Sequence, residues 1–205
     1  MRCVADEILA EQKSILRREM LARRRVFSAE ERKEASRTIC ARAAQLSALK
    51  ASQTIMLYAS MAEEIDLVPF METLLADGQR IVLPEITGRG TMEARELPAI
   101  DALTDGVFGI ATPDPTRGSI VPPEEIDVII VPGAAFSSDG GRLGLGGGYY
   151  DRFLPRARNA VRVVLAFDFQ IVPDVPMGVQ DARVDVILTE RRMISCNGYY
   201  LEEEV

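Results

Sequence analysis

The sequence contains no histidine, which removes Ser-His-Asp and Cys-His nucleophilic catalysis along with the commonest general base and metal ligand. Any chemistry here must use carboxylates, Lys, Arg, Tyr, backbone dipoles or a hard cation. Cysteine is scarce as well. Cys3, Cys40 and Cys196 are odd in number and far apart, with no neighbouring Cys or His, so a disulfide framework and a zinc site are both excluded and inert thiols are expected. Long apolar runs are also missing. The first ten residues carry Arg2, Asp6 and Glu7 where a signal peptide would be apolar, and no later run approaches the ~20 residues of a membrane span. A cytoplasmic protein with no membrane partner is expected. Positive charge is in deficit, and the net charge of −7 argues against a nucleic-acid partner, because phosphate backbones are bound through accumulated Lys and Arg.

The cations that remain are unevenly spread. Between Lys13 and Arg25 stand six basic residues and a single acid, Glu19. Ile8, Leu9, Ile15, Leu16 and Met20 recur at helical spacing and predict an amphipathic helix over about residues 5 to 26. At ~100° per residue, Lys13, Arg17 and Arg24 project within roughly 40° of one another beside the apolar stripe. This basic edge suits a small anionic ligand, although a solvated charged face is the alternative.

With 205 residues, 47% of them hydrophobic, the chain can bury a large core and is expected to form one domain over 1–205, with two small lobes as the fallback. Ser28-Ala29-Glu30-Glu31 is a capping box that starts a second helix, with Ile39 and Leu46 on its core side. Strands are predicted over Thr54 to Tyr58, Arg80 to Pro84, Asp127 to Pro132, Val161 to Phe167 and Val184 to Thr189, and helices over about Asp66 to Ala76 and Tyr149 to Arg156. Glu85 to Thr116 reads as irregular, apart from a strand near Met92 to Leu97. The alternation predicts an α/β fold in three layers, with a mainly parallel central sheet and helices on both faces.

The most informative segment is Gly140 to Tyr150, Gly-Gly-Arg-Leu-Gly-Leu-Gly-Gly-Gly-Tyr-Tyr, which holds six of the 15 glycines. It follows the nearly continuous β-branched run ending at Val131, where an α/β sheet places its ligands. Without Cβ atoms, successive N–H groups can converge on a phosphate, and Arg142 adds a fixed positive fork. The segment is not a Walker A motif, since no Lys-Ser or Lys-Thr pair follows. Nor is it a Rossmann fingerprint, because Tyr149 stands where the third glycine belongs. A plain structural turn is the alternative. Asp151, one residue beyond, can complement a helix dipole or meet a phosphate-borne magnesium ion. Glu64, in a polar loop after a strand, is ambiguous between solvated surface and site.

Val131-Pro132-Gly133-Ala134-Ala135-Phe136, followed by Gly141-Arg142-Leu143-Gly144, Gly146 and Gly148-Tyr149-Tyr150-Asp151, resembles the 5-formyltetrahydrofolate cyclo-ligase (methenyltetrahydrofolate synthetase) family. The similarity extends in order over almost the whole chain, through Lys13, Arg17, Ser60-Met61, Glu64-Ile65, Gln170, Asp181, Val184-Asp185 and Thr189-Glu190. The resemblance implies a scaffold similar to the ribose-phosphate isomerase and CoA-transferase folds. It also implies ATP- and magnesium-dependent conversion of 5-formyltetrahydrofolate, and by extension its polyglutamates, to 5,10-methenyltetrahydrofolate by a monomeric enzyme. On the same resemblance Lys13, Arg17, Arg142, Leu143, Gly144, Leu145, Gly146, Gly147, Gly148, Tyr149 and Tyr150 bind ATP. Glu64 and Tyr149 border the folate, and Asp151 and Asp181 are the magnesium ligands. The chain departs from the family pattern at Leu145, often Arg or aromatic, at Gly147, often Lys, at Ser137, usually Asp, and at Gln180, often His. Arg142→Ala is expected to weaken ATP use with little loss of fold. Two other readings stand beside this one: a noncatalytic nucleotide- or folate-binding regulator, and a sugar-phosphate isomerase on a similar scaffold.

Overall fold

The computed structural model describes residues 4–196 and Gly198. A long helix α1 (Val4–Val26) leads to Ser28, whose hydroxyl accepts the Glu31 N–H at 3.2 Å while the Glu31 carboxylate accepts the Ser28 N–H at 3.0 Å. This reciprocal cap starts α2 (Ala29–Ala43), and a short α3 (Ser47–Ala51) precedes β1 (Thr54–Met56). Next come α4 (Val68–Ala76), β2 (Arg80–Gly88) and β3 (Thr91–Glu96). Short strands β4 (Leu103–Thr104), β5 (Thr112–Pro113) and β6 (Ile120–Val121) lead to β7 (Val128–Ile130). The tight hairpin of β8 (Ala135–Phe136) and β9 (Arg142–Leu143) is followed by α5 (Tyr149–Phe153), β10 (Val161–Leu165), β11 (Val186–Leu188) and β12 (Met193–Ser195).

Among the described residues one eight-stranded sheet runs in the order β12-β11-β10-β7-β1-β2-β3-β6. Its five middle strands, β11 to β2, are mutually parallel, and antiparallel strands close both margins. Successive strand residues face opposite sides. Ile55, Ile81, Val128, Ile130 and Val163 pack with Ile39, Leu49 and Met71 from α2, α3 and α4, whereas Met56, Val82, Ile129 and Val164 pack with Phe153 and Leu154 at α5. Both faces are therefore covered, which explains why β1 and β7 read as unbroken apolar runs. The expected α/β architecture with a mainly parallel sheet is the one observed.

Two local expectations need correction. The segment from Glu85 is not irregular at its start, because β2 continues to Gly88 and returns as β3. Pro84 hides this strand in the sequence. Leu57 N–H donates to Val82 O at 2.9 Å, so Pro84, two residues on, turns its missing N–H to the same side, past the end of β1, where no ladder bond is lost. Helix α5 ends at Phe153, short of the expected Arg156.

Helix α1 is set by a third, smaller cluster. Its Met20 is buried against Ala134, Ala135, Leu143 and Val175, with Leu16 alongside. Leu16 and Met20 of the expected apolar stripe thus dock on the β8–β9 hairpin, whereas Ile8 and Ile15 stay 51% and 49% exposed, and this docking brings the adjacent basic edge to the carboxyl ends of the parallel strands.

Candidate active site

At that end of the sheet lies a cavity of about 2260 Å³. Its walls come from α1, the turn after β1, the β2–β3 turn, the segment around β4 and β5, the glycine segment after β9, and the stretch Val179 to Arg183. All residues expected to form the site line it: Lys13, Arg17, Glu64, Arg142, Leu143, Gly144, Leu145, Gly146, Gly147, Gly148, Tyr149, Tyr150, Asp151 and Asp181. Chain positions far apart are gathered here because ligand crevices form where parallel strands end and their loops diverge.

Three cations converge on the glycine segment. Lys13 forms an ion pair with Asp181, whose Oδ2 also accepts the Gly178 N–H. Arg17 Nε donates to Gly144 O at 2.9 Å, and its guanidinium carbon lies 3.6 Å from where a Cβ on Gly146 would sit. Arg142 is not in the glycine turn itself but on β9. Its side chain is 3% exposed, it pairs with Asp151 Oδ1, and its Nε has no partner among the described residues. A buried guanidinium N–H without an acceptor is costly in a finished structure and suits a site built for an anion. The basic edge of α1 is therefore engaged with the cavity wall and is not a freely solvated face.

The glycines divide by role. Gly140, at φ +86°, turns the β8–β9 hairpin, and a Cβ on Gly141 would strike the Ser137 hydroxyl at 2.3 Å, so this pair is structural. Gly144 to Gly148 line the cavity, and Gly148, at φ +66°, delivers the chain into α5. Arg152, which sequence reasoning passed over, holds this turn. It donates to Gly147 O and, at 2.6 Å, to Gly90 O across the cavity in the β2–β3 turn, and lies 5.9 Å from the Tyr149 ring centroid.

Asp151 and Asp181 are the acidic members. Asp151 takes both of its bonds, from Arg142 and from Ala182 N–H at 3.2 Å, on Oδ1, and Asp181 takes both of its bonds on Oδ2. Each carboxylate thus keeps one oxygen without a partner among the described residues. No three His, Cys, Asp or Glu side chains gather into a metal cluster among the described residues. Such a sparse oxygen donor set fits a hard cation that brings phosphate and water as its remaining ligands, as magnesium does.

Glu64 is carried by the turn after β1 and acts on Tyr150, at the end of the glycine segment. Its Oε2 accepts the Met61 N–H at 3.0 Å and its Oε1 forms an ion pair with Arg24 Nη2 at 3.1 Å, the Glu64 and Arg24 side chains being 8% and 3% exposed. Tyr58 and Tyr150 lie close by. Burial, reinforced by the negative charge of Glu64, pushes both phenols well above their ordinary range and keeps them neutral. Neither Tyr58 nor the Arg24–Glu64 pair was legible as a site feature, since a tyrosine in an apolar strand reads as core.

The two described thiols, Cys40 and Cys196, contribute no nucleophile, and Cys3 lies outside the described residues. Burial, then the charge of Asp66, pushes Cys40 up to about 12; burial, then Asp185 and Asp139, pushes Cys196 up to about 11. Both stay protonated at neutral pH and neither lines the cavity. No helix among the described residues is long and apolar enough to cross a membrane.

The chain matches the sequence profile of the 5-formyltetrahydrofolate cyclo-ligase family over residues 9–190. The 5-formyltetrahydrofolate cyclo-ligase of Mus musculus is 30% identical over 85% of this chain and 92% of that protein. That of Escherichia coli K12 is 27% identical over 83% and 96%. Among solved structures, the Aquifex aeolicus 5,10-methenyltetrahydrofolate synthetase superposes with a TM-score of 0.82 at 35% identity, over 94% of this chain and 97% of that one. The Mycoplasma pneumoniae synthetase gives 0.72 at 25% identity, over 87% and 98%. With residues 9–190 matched to the family profile and most of its length matched in sequence and fold, the chain belongs to the 5-formyltetrahydrofolate cyclo-ligase family.

Proposed function

We propose that this protein is an ATP- and magnesium-dependent ligase that converts 5-formyltetrahydrofolate to 5,10-methenyltetrahydrofolate with release of ADP and phosphate. The reading rests on one observation above all: Lys13, Arg17 and Arg142 gather at one part of a cavity that also holds the buried carboxylate of Glu64. At about 2260 Å³ that space exceeds the ~300–1,000 Å³ of a usual single-ligand pocket and can take two substrates at once.

A formamide oxygen is a poor leaving group. Its attack on the γ-phosphorus of ATP, with ADP departing, converts it into a phosphate ester on the formyl carbon. The N10 lone pair then attacks that carbon, the five-membered ring closes, and phosphate leaves with the former formyl oxygen while N10 loses its proton. Phosphoryl transfer depends on positioning and charge neutralisation, so the lack of histidine is no obstacle. Lys13, Arg17 and Arg142 hold the polyphosphate, with Gly144 to Tyr150 shaping the turn around it. Asp151 and Asp181 would hold magnesium, which when bound neutralises phosphate oxygens. Glu64 accepts hydrogen bonds from the amino and ring N–H groups of the pterin, and Tyr149 borders the reacting folate. The reaction takes place in the cytoplasm on the free folate and its polyglutamates, in a monomer.

The test is to mix the protein with 5-formyltetrahydrofolate, ATP and magnesium and follow methenyltetrahydrofolate by absorbance. Product that requires both ATP and magnesium supports the reading. Tight ligand binding without product would point to a noncatalytic regulator.

A further inference from the structure

Arg24 does not line the cavity, yet it is the better buried member of the pair that holds Glu64. It grips the turn after β1 twice, through an ion pair of its Nη2 with Glu64 Oε1 at 3.1 Å and a hydrogen bond donated from Nε to the Glu63 carbonyl at 3.2 Å. With Met61 N–H on Oε2, both oxygens of the carboxylate are fixed. Among the described residues Arg24 is the ion-pair partner of Glu64, and the neighbouring phenols of Tyr58 and Tyr150 carry no charge to replace it. Arg24 also sits on the helix that supplies Lys13 and Arg17, eleven residues beyond Lys13, or ~16 Å along the axis at 1.5 Å per residue.

We infer that Arg24 is a positioning residue for the folate end of the site, acting through Glu64. It balances the charge of the carboxylate, fixes its orientation toward the cavity, and ties it through α1 to the polyphosphate end. The inference rests on the reading of Glu64 as the acceptor of the pterin N–H groups. A buried carboxylate can meet paired donors only if its plane is held, and hydrogen bonds lose strength steeply with misalignment. Without the guanidinium, the carboxylate would be left buried and uncompensated, and the turn that carries it would shift toward water.

The experiment compares wild type, Arg24→Met, Glu64→Gln and the double variant, titrating each calorimetrically with 5-formyltetrahydrofolate and separately with ADP plus magnesium. Arg24→Met should raise the folate Kd roughly 10- to 100-fold, the usual consequence of removing the support of a ligand-holding group. Its Kd for ADP with magnesium should stay within about twofold, as for an independent site. The double variant should bind folate no worse than Glu64→Gln alone. Arg24→Lys keeps the charge but cannot reach Glu64 and the Glu63 carbonyl together, and should recover part of the loss. Unchanged folate affinity in Arg24→Met, a parallel loss of nucleotide affinity, or additive effects in the double variant would each overturn the inference. If Glu64→Gln itself leaves folate affinity intact, the reading of Glu64 falls and the inference with it. If only Arg24→Met does so, the inference falls alone. Should Arg24→Met fail to fold, Arg24→Lys against wild type decides: a smaller, folate-specific loss supports the inference, and no loss refutes it.

Discussion

Replacing Arg142 by Met separates the anion-binding work of a buried cation from its part in the fold. Sequence reasoning anticipates little structural cost. The structure gives a different answer, because the Arg142 side chain is 3% exposed and is paired with Asp151, which is 23% exposed. Removing one member of a buried, hydrogen-bonded ion pair costs ~3–5 kcal/mol, and the partial access of Asp151 to water puts this pair near the lower end, at about 3 kcal/mol. In a chain of this size each kcal/mol lowers Tm by about 2–4 °C, so a fall of roughly 6–12 °C is expected on thermal unfolding followed by circular dichroism. A lost charge-assisted contact of about 1.5–3 kcal/mol should also weaken nucleotide binding by roughly 10- to 150-fold. The second variant, Arg142→Met with Asp151→Asn, removes the stranded charge and should recover much of the Tm while leaving affinity low. Using metal-free ADP keeps the loss of Asp151 as a cation ligand out of the comparison. If ADP affinity returned along with Tm in the double variant, Arg142 would be a structural residue and its role at the phosphate would be refuted.

Asp181→Asn should release Lys13 from its ion pair, so that metal-free ADP binds as well as or better than to wild type while added magnesium no longer strengthens binding. Undiminished magnesium dependence in calorimetry would remove Asp181 from the cation site. Hydrogen bonding from Ser137, then from Arg183, holds the Asp139 carboxyl down to about 2. Because that lies below the unfolded value of ~3.9, its stabilising contribution is complete above about pH 4 and disappears as pH falls through about 2. The group is largely exposed, so the effect is small, and Asp139→Asn should flatten the acid side of the Tm-against-pH curve. Parallel curves for the two proteins between pH 4 and 2 would contradict this.

Much of the fold was legible because hydrophobic period and burial agree. The runs around Ile55, Ile129 and Val164 are apolar on both faces and are sandwiched on both faces, and the Ser28 box caps α2 as its chemistry requires. The β2–β3 hairpin was obscured because Pro84 argues against a strand until one knows that β1 has already ended beside it. At the site, Lys13, Arg17 and Arg142 were readable as cations with a common purpose. Arg24 was visible on the same edge, but its target was not, since Glu64 lies forty residues away and the pairing depends on where α1 docks. The glycine segment shows the same limit. Its composition marks a tight, open turn, but only the contacts distinguish the hairpin glycines, Gly140 and Gly141, from those that face the cavity.

The central claim is that the formyl oxygen of the substrate becomes an oxygen of the released phosphate. The direct measurement is turnover of 5-formyltetrahydrofolate labelled with oxygen-18 at the formyl group, with ATP and magnesium, followed by mass spectrometry of the inorganic phosphate. Label in the phosphate is the result expected. Unlabelled phosphate alongside methenyl product would contradict attack of the formyl oxygen on ATP, and with it the mechanism assigned to this cavity.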